Sequence, residues 1–388
     1  MTPAAATYLN EALDYIQGHS LRREHIDWLA VRQEATTLAA QAQNPSETYP
    51  AIRRTLELLG DGHSTFVDPA AIQLRKEEQL RHLGLQGVHP TGYVGVVYPG
   101  SPAEQAGIRA GDRLETINDR PISALTKEQF RKALEGPQVM LTYTPTEGKS
   151  LRSVRLEAAP FVSNRQPHGH RLANDLGYLA VPEVLNMEAS KVFAGLAHQI
   201  IREIDQTPTA GWVIDLRTNG GGSLWPMLVG VGPIVGEGEC LGLAAPHEKL
   251  DVLYRGGRAW VEQQQHISAS VDEPYALKRP WPPVAVLTSQ ITASAAEFVA
   301  LAFRGRPHSR SFGEPTRGVP TSNYTQELSD GAFIALTTHM GADRTGQTYD
   351  GPLLPDEPVM INWTQLGTPD DPVLQAAIRW LQTETGSH

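Results

Sequence analysis

Three short apolar runs, each followed by a break and a helical stretch, limit this chain to a small set of folds. Leu176-Gly-Tyr-Leu-Ala-Val181 precedes residues 187–204, where apolar side chains recur at helical spacing. Gly211-Trp-Val-Ile-Asp-Leu216 precedes a glycine-rich loop and a second helix, and Val284-Ala-Val-Leu287 precedes a third. Near-continuous apolar runs suit strands covered on both faces, and a repeating strand-helix order joins such strands in parallel. The pattern predicts an α/β core over residues 161–388 with a mixed, partly parallel sheet. A further strand over 333–338 and a closing helix over 371–381, with Pro372 near its start, complete it.

Two different textures precede the core. Residues 1–80 carry helical periodicity interrupted at Gly18-His-Ser20 and Asn44-Pro-Ser46, which predicts two or three helices. Glycines in Leu58-Leu-Gly-Asp-Gly-His63 stop the last of them before an extended stretch over 64–67. Residues 81–160 change to short strands and Gly/Pro turns: strands over 93–97 and 139–143, a short helix over 103–106 and another over 127–134.

With 388 residues, 40% hydrophobic and 20% charged, the chain is long enough for two or three domains with real cores. Its net charge of −10 argues against the basic surface expected of a nucleic-acid binder. A single cysteine, Cys240, rules out an intrachain disulfide and a cysteine-based metal cluster, and the 13 histidines include no His-Glu-x-x-His spacing. Neither a metal nor another cofactor is implied. The N-terminus has no basic and apolar leader pattern, and no run is long enough to span a bilayer. The expectation is a cytoplasmic protein without membrane insertion, although an exported form with its leader removed would read the same, and a homo-oligomer remains open.

Three positions are candidates for chemistry. Ser294 falls between a strand and a helix, where unpaired backbone N–H groups can stabilise an oxyanion. Yet Ser294-x-x-Glu297 is also a capping box that needs no chemistry. Asp215-Leu-Arg-Thr-Asn-Gly-Gly-Gly-Ser223 can bring backbone donors close to an anion; it is neither Gly-x-Gly-x-x-Gly nor a P-loop, and a tight structural turn explains it equally well. His63 sits in a Gly-flanked turn, as many surface histidines do.

Taken together, the motifs resemble one family. Gly100-Ser-Pro-Ala-Glu-Gln-Ala-Gly-Ile-Arg-Ala-Gly-Asp-Arg-Leu114 looks like a PDZ domain, with Leu83, Gly84 and Leu85 in the place of its peptide-binding loop. Asp-Leu-Arg-x-Asn-Gly-Gly-Gly, Thr-Ala-Ser-Ala-Ala-Glu and Gly313-Glu-Pro-Thr-Arg-Gly318 resemble the C-terminal-processing, or tail-specific, serine peptidases. The resemblance implies a ClpP/crotonase-like α/β core with an inserted PDZ domain, acting on peptide or unfolded-protein substrates through an acyl-enzyme. It implies Ser294 as nucleophile, with Ala295 and Gly221 or Gly222 as the oxyanion hole.

Bacterial members carry a lysine base shortly after the Gly-Glu-x-Thr-x-Gly motif. Val319 stands there, and Lys278 is the last lysine of the chain, so that Ser-Lys dyad cannot form. The tricorn-like branch uses a histidine from an N-terminal segment, which corresponds to His63, with Ser64 beside it. That branch orients the ring with an acid, for which Asp350 is the counterpart and Asp61 and Asp343 are rivals. Glu297 and Glu314 read as cap and turn carboxylates. The other class open to such a fold is a catalytically silent binder of hydrophobic ligands or peptides, as in retinoid-binding repeats. An esterase is less favoured, because no Gly-x-Ser-x-Gly elbow occurs.

Overall fold

The computed structural model describes residues 1–76, 81–148, 150–163, 165–264 and 266–386. The expected boundary at residue 80 therefore adjoins a stretch outside the described residues. The apolar runs form the centre of a six-stranded sheet. Its order is His168–Arg171, Leu176–Ala180, Gly211–Asp215, Val284–Thr288, Ser309–Gly313 and Glu357–Pro358. The first pairing is antiparallel and the other four are parallel.

Both faces of this sheet are covered, which explains the lack of polar alternation. Trp212 and Ile214 face the helices Met187–Ile204, Leu224–Val235 and Ala295–Phe303. Val213, Ala285 and Leu287 point the other way, toward the helix Pro372–Gly386. Side chains of successive strand residues alternate between faces, so each strand feeds two cores.

A second, eight-stranded sheet is organised by the ten-residue strand Phe333–Ala342. Along its length it pairs antiparallel with Thr65–Val67, Gly238–Ala245, Thr321–Glu327 and Thr348–Tyr349. The sheet then continues through Glu248–Arg255, Arg258–Val261 and His266–Ser270. The 333–338 strand and the extended stretch over 64–67 were expected here; the other strands were not. The meander over 238–270 has one buried face, with Leu250, Val252 and Tyr254 turned into the core, and the strand-helix order elsewhere does not announce it.

The N-terminal helices are Pro3–His19, Trp28–Leu38 and Tyr49–Leu59. Thr2 and Asp27 cap the first two through side-chain oxygens, and Gly60 ends the third at φ 65°, a left-handed conformation that glycine adopts without strain. Their apolar faces, with Leu9, Leu13, Ile16, Ile52 and Leu56, pack on Phe66, Ile334 and Leu336. The helical segment is thus docked on the strand that also carries Thr65–Val67, and this places the 60–64 turn at the α/β core.

Residues 81–160 fold around a separate core containing Leu83, Leu114, Ile117, Phe130 and Leu141. Arg120–Pro121, Arg113–Ile117, Gln138–Thr144 and Arg152–Glu157 form a four-stranded sheet, and Leu85–Gly87 pairs with Val94–Val97 beside the helix Lys127–Leu134.

One buried ion cluster ties the Gly-rich loop to the C-terminal helix. Arg217, fully buried, donates from Nη2 to Asp215 at 2.6 Å and from Nη1 to Asp371 at 2.8 Å. Asp371 also accepts the N–H groups of Gly367, Val373 and Leu374, at the start of Pro372–Gly386. Removing one member strands a buried charge and its donors. Asp371→Ala should therefore lose about 3–5 kcal/mol of stability, read as a lowered urea midpoint; an unchanged midpoint would show that the cluster contributes little.

Candidate active site

The turn after Val284–Thr288 delivers Ser294 to the head of Ala295–Phe303 with φ 53° and ψ −119°. A non-glycine residue there is strained, by about 1–3 kcal/mol, and persists only where the surroundings hold it. Glu297 provides much of that hold. Fully buried, its carboxylate accepts from the N–H of Ser294 at 2.7 Å and of Val319 at 3.0 Å, and from Gly318 N–H at 3.0 Å and Thr316 Oγ1 at 2.5 Å. Burial raises the Glu297 pKa while these donors work against the shift. The acid half of the expected capping box is therefore present, and it also anchors the 316–319 loop.

The Gly-rich loop closes on the same turn. A Cβ on Gly221 would lie 2.9 Å from the Ala293 carbonyl oxygen and 3.1 Å from Ser294 Cβ, and one on Gly222 would lie 2.2 Å from the Val184 carbonyl oxygen. Both glycines have φ above 100°, so contact and conformation each require them. The Gly221 N–H donates to Asn219 Oδ1 at 2.8 Å, and in this conformation it is not free for an oxyanion. Among the described residues, the N–H groups of Ala295 and Gly222 make no hydrogen bond. Ala295 is the first residue of its helix, where such orphan donors are normal.

The structure brings His63 to Ser294 across 231 residues of sequence: Ser294 Oγ lies 3.1 Å from His63 Nε2. The other ring nitrogen, Nδ1, lies 2.7 Å from Thr321 Oγ1. The turn that carries His63 is pinned by Asp61, which accepts from the N–H of His63 at 2.9 Å and of Ser64 at 2.8 Å and from Ser64 Oγ at 2.6 Å. Asn323 Nδ2 adds a bond to the His63 carbonyl at 3.0 Å. Burial lowers the His63 pKa below 6.5; Asp61 opposes this and the charge of Arg317 reinforces it.

Asp350 is not the partner of this ring. Its side chain is 53% exposed and pairs with Arg22 at 3.2 Å, because the loop after Thr348–Tyr349 turns it outward. Asp343 is occupied by Thr345 and Tyr349. Thr321 was missed: it lies in the strand Thr321–Glu327, within a polar run that carries no motif, and only the pairing of that strand with Phe333–Ala342 brings its hydroxyl to the ring. Ser64 bonds to Asp61 and to the Thr337 N–H rather than to the ring.

Residues 81–160 pack on the core through Val88, Val96 and Tyr98, and beside this contact a cleft with a cavity of about 660 Å³ lies between the two. Leu83, Gly84 and Leu85 line one wall with Phe130, while Gly220 and Arg317 line the other. The cavity thus reaches the neighbours of the Ser294–His63 pair rather than the pair itself. The carbonyl groups of Leu83 and Gly84 are engaged by Ala103 N–H and Tyr98 N–H, which fixes the expected peptide-binding loop against its own domain. Gln86 crosses the junction, since a Cβ on Gly220 would lie 3.0 Å from its Nε2.

Comparison with known proteins agrees with this layout. Residues 175–359 match peptidase family S41 and residues 93–144 match the PDZ domain. The chain is 26% identical to a carboxyl-terminal-processing protease of Synechocystis sp., over 97% of this chain and 88% of that protein. It is 27% identical to a chloroplastic C-terminal processing peptidase of Tetradesmus obliquus, over 75% of this chain and 63% of the relative. Among solved structures, the photosystem II D1 C-terminal processing protease superposes with a TM-score of 0.61 at 21% identity, covering 93% of this chain and 94% of that one. A lipoprotein from Streptococcus agalactiae gives 0.62 at 19% identity, covering 99% and 98%. At these identities the two superpositions show the fold.

The Glu297 cluster makes a direct prediction. In Glu297→Gln an amide NH₂ must face backbone donors, so stability should fall by about 1–3 kcal/mol in chemical denaturation. A variant as stable as the parent would show that the carboxylate is not what holds the Ser294 turn.

Proposed function

We propose, from the premise that this chain belongs to the S41 peptidases and carries a PDZ domain, that it is a serine endopeptidase with a histidine base, acting on the C-terminal regions of protein substrates. The observation that carries the reading is the 3.1 Å approach of Ser294 Oγ to His63 Nε2. A base must lie within hydrogen-bond reach of the proton that it removes. With its proton on Nδ1, donated to Thr321 Oγ1 at 2.7 Å, the ring turns a lone pair toward the serine hydroxyl.

In the proposed reaction His63 takes the Ser294 proton as Oγ attacks a peptide carbonyl. The N–H of Ala295 and a donor of the Gly-rich loop, Gly222 or a released Gly221, hold the oxyanion, and the helix dipole adds to them. His63 then protonates the leaving amine, and water, deprotonated by the same ring, hydrolyses the acyl-enzyme. Thr321 takes the orienting place that a carboxylate holds in a Ser-His-acid triad. It fixes the tautomer without adding negative charge, so the imidazolium gains less stabilisation than beside an acid. Asp61 is a positioning residue, because it holds the turn rather than the reacting atoms. The absence of any lysine beyond Lys278 supports a histidine mechanism of the tricorn-like kind over a Ser-Lys dyad.

The substrate class follows from the processing enzymes among the relatives. It also follows from a cleft that joins the loop at Leu83, Gly84 and Leu85 to the Gly-rich loop. An extended chain end captured beside Leu85–Gly87 would have its upstream residues led toward Ser294. The proposed core resemblance to the ClpP/crotonase-like fold rests on its parallel strands and the glycine loop at their ends.

A fluorophosphonate probe should label the native protein and not Ser294→Ala, and His63→Ala should lose at least about a hundredfold in peptide turnover while keeping its circular dichroism spectrum. Labelling that persists in Ser294→Ala, or full turnover in His63→Ala, would remove that residue from the mechanism. Because burial lowers the His63 pKa, the ring stays neutral through pH 7, and kcat/KM should decline only below pH 6.5 as it takes up a proton. A pH profile whose rise lies well above pH 7 would point to a different base.

A further inference from the structure

We propose that Arg317 of the core and Lys127 of the PDZ module form a cationic subsite selecting substrates with an acidic side chain between the PDZ-bound end and the scissile bond. This inference rests on the peptidase reading above and names its substrate class. Both residues line the cleft that joins the two parts.

Their surroundings distinguish them from the other cations nearby. Arg131, on the same helix as Lys127, is neutralised by Glu128 at 2.8 Å and Glu135 at 2.6 Å, and Arg165 by Glu183 at 2.6 Å. Among the described residues, neither the Arg317 guanidinium nor the Lys127 ammonium has an ion pair or a hydrogen bond. The backbone of Arg317 is held in place, its N–H donating to the Thr292 carbonyl at 2.9 Å.

The two charges also repel one another. Lys127 occupies the first position of Lys127–Leu134, where the helix dipole disfavours a cation. Burial and the charge of Arg317 both lower its pKa, and Arg317 is lowered by burial and by Arg131, although its side chain stays open to the cleft. The carboxylate that reaches both electrostatically is Glu297, and its oxygens are already taken by Ser294, Thr316, Gly318 and Val319.

Glu128 and Glu135 also act on Arg317 from a distance but are bound to Arg131. Two cations without a direct partner at the wall of a cleft are relieved by an anion that arrives with the ligand, and a guanidinium binds a carboxylate through paired donors. The position is close to the chemistry, since the Arg317 charge is felt at His63. Beside polar groups such as Gln86, Gln290 and the Arg131-bound Glu135, the cleft offers Phe130, Leu134, Leu185 and Ile291, so the favoured substrate segment is mainly apolar with one acidic residue.

The test is a set of internally quenched peptides in which a neutral, C-terminally free parent is scanned with single Gln→Glu changes and repeated as C-terminal amides, using the full chain. One register of Glu should raise kcat/KM about tenfold, mainly through KM, in both the acid and amide series. That preference should vanish in Arg317→Gln, weaken in Lys127→Gln, and turn toward Lys in Arg317→Glu. A flat Glu scan with a preference only for the free C-terminus would assign the cations to the chain end and overturn the side-chain proposal. So would discrimination retained in Arg317→Gln. Fluorescence anisotropy of the same peptides on Ser294→Ala separates the two readings. A Glu preference in binding without turnover by the native protein defeats hydrolysis alone, and equal binding of the Glu and Gln peptides at every register defeats the subsite.

Discussion

The antiparallel pairing of Thr65–Val67 with Phe333–Ala342 is the constraint on which the candidate site depends. Three residues of strand contribute few hydrogen bonds, but the helices behind them bury Leu9, Leu13, Ile52 and Leu56 against the same strand. Burial of this kind is worth about 1.5–3 kcal/mol for each large apolar side chain. The N-terminal segment is thereby fixed to the core by its apolar face, and the strand pairing sets its register. Two residues before Thr65, His63 is then directed at Ser294.

Opposite His63, the Ser294 turn is held from two sides. Glu297 gathers the Ser294 N–H and the 316–319 loop into one buried carboxylate site, while Gly221 brings the Asp215–Gly222 stretch into contact with Ala293 and Ser294. The base of that stretch is secured by Arg217 between Asp215 and Asp371. Buried charges that each have several partners suit a site whose backbone is strained, because they resist the relaxation that would turn the hydroxyl away.

The electrostatics divide in a way that matches the proposed chemistry. Near the serine, charge is satisfied or suppressed: Glu297 is saturated and the half-buried His63 is kept neutral. Along the cleft toward the PDZ module, Lys127 and Arg317 carry positive charge with no direct partner among the described residues. Catalysis needs a neutral base, whereas recognition gains from charge that only a ligand completes.

Much of the fold was legible in the amino-acid pattern. Runs such as Val284–Thr288 announced strands covered on both faces, and the order of the glycine, serine and PDZ motifs announced the similarity to the S41 peptidases, because these signals are local in sequence. The lack of a lysine after Lys278 already spoke against a lysine base at the place the resemblance implies. Other features depended on the folded chain. The second sheet over 238–270, the choice of Thr321 over Asp350 at the imidazole, the capture of the Gly221 N–H by Asn219 and the placing of Arg317 on the cleft wall arise when distant segments meet. Which of several polar groups wins a given partner is decided by distances of a few tenths of an ångström. Strand register and packing set those distances, and residue spacing along the chain does not.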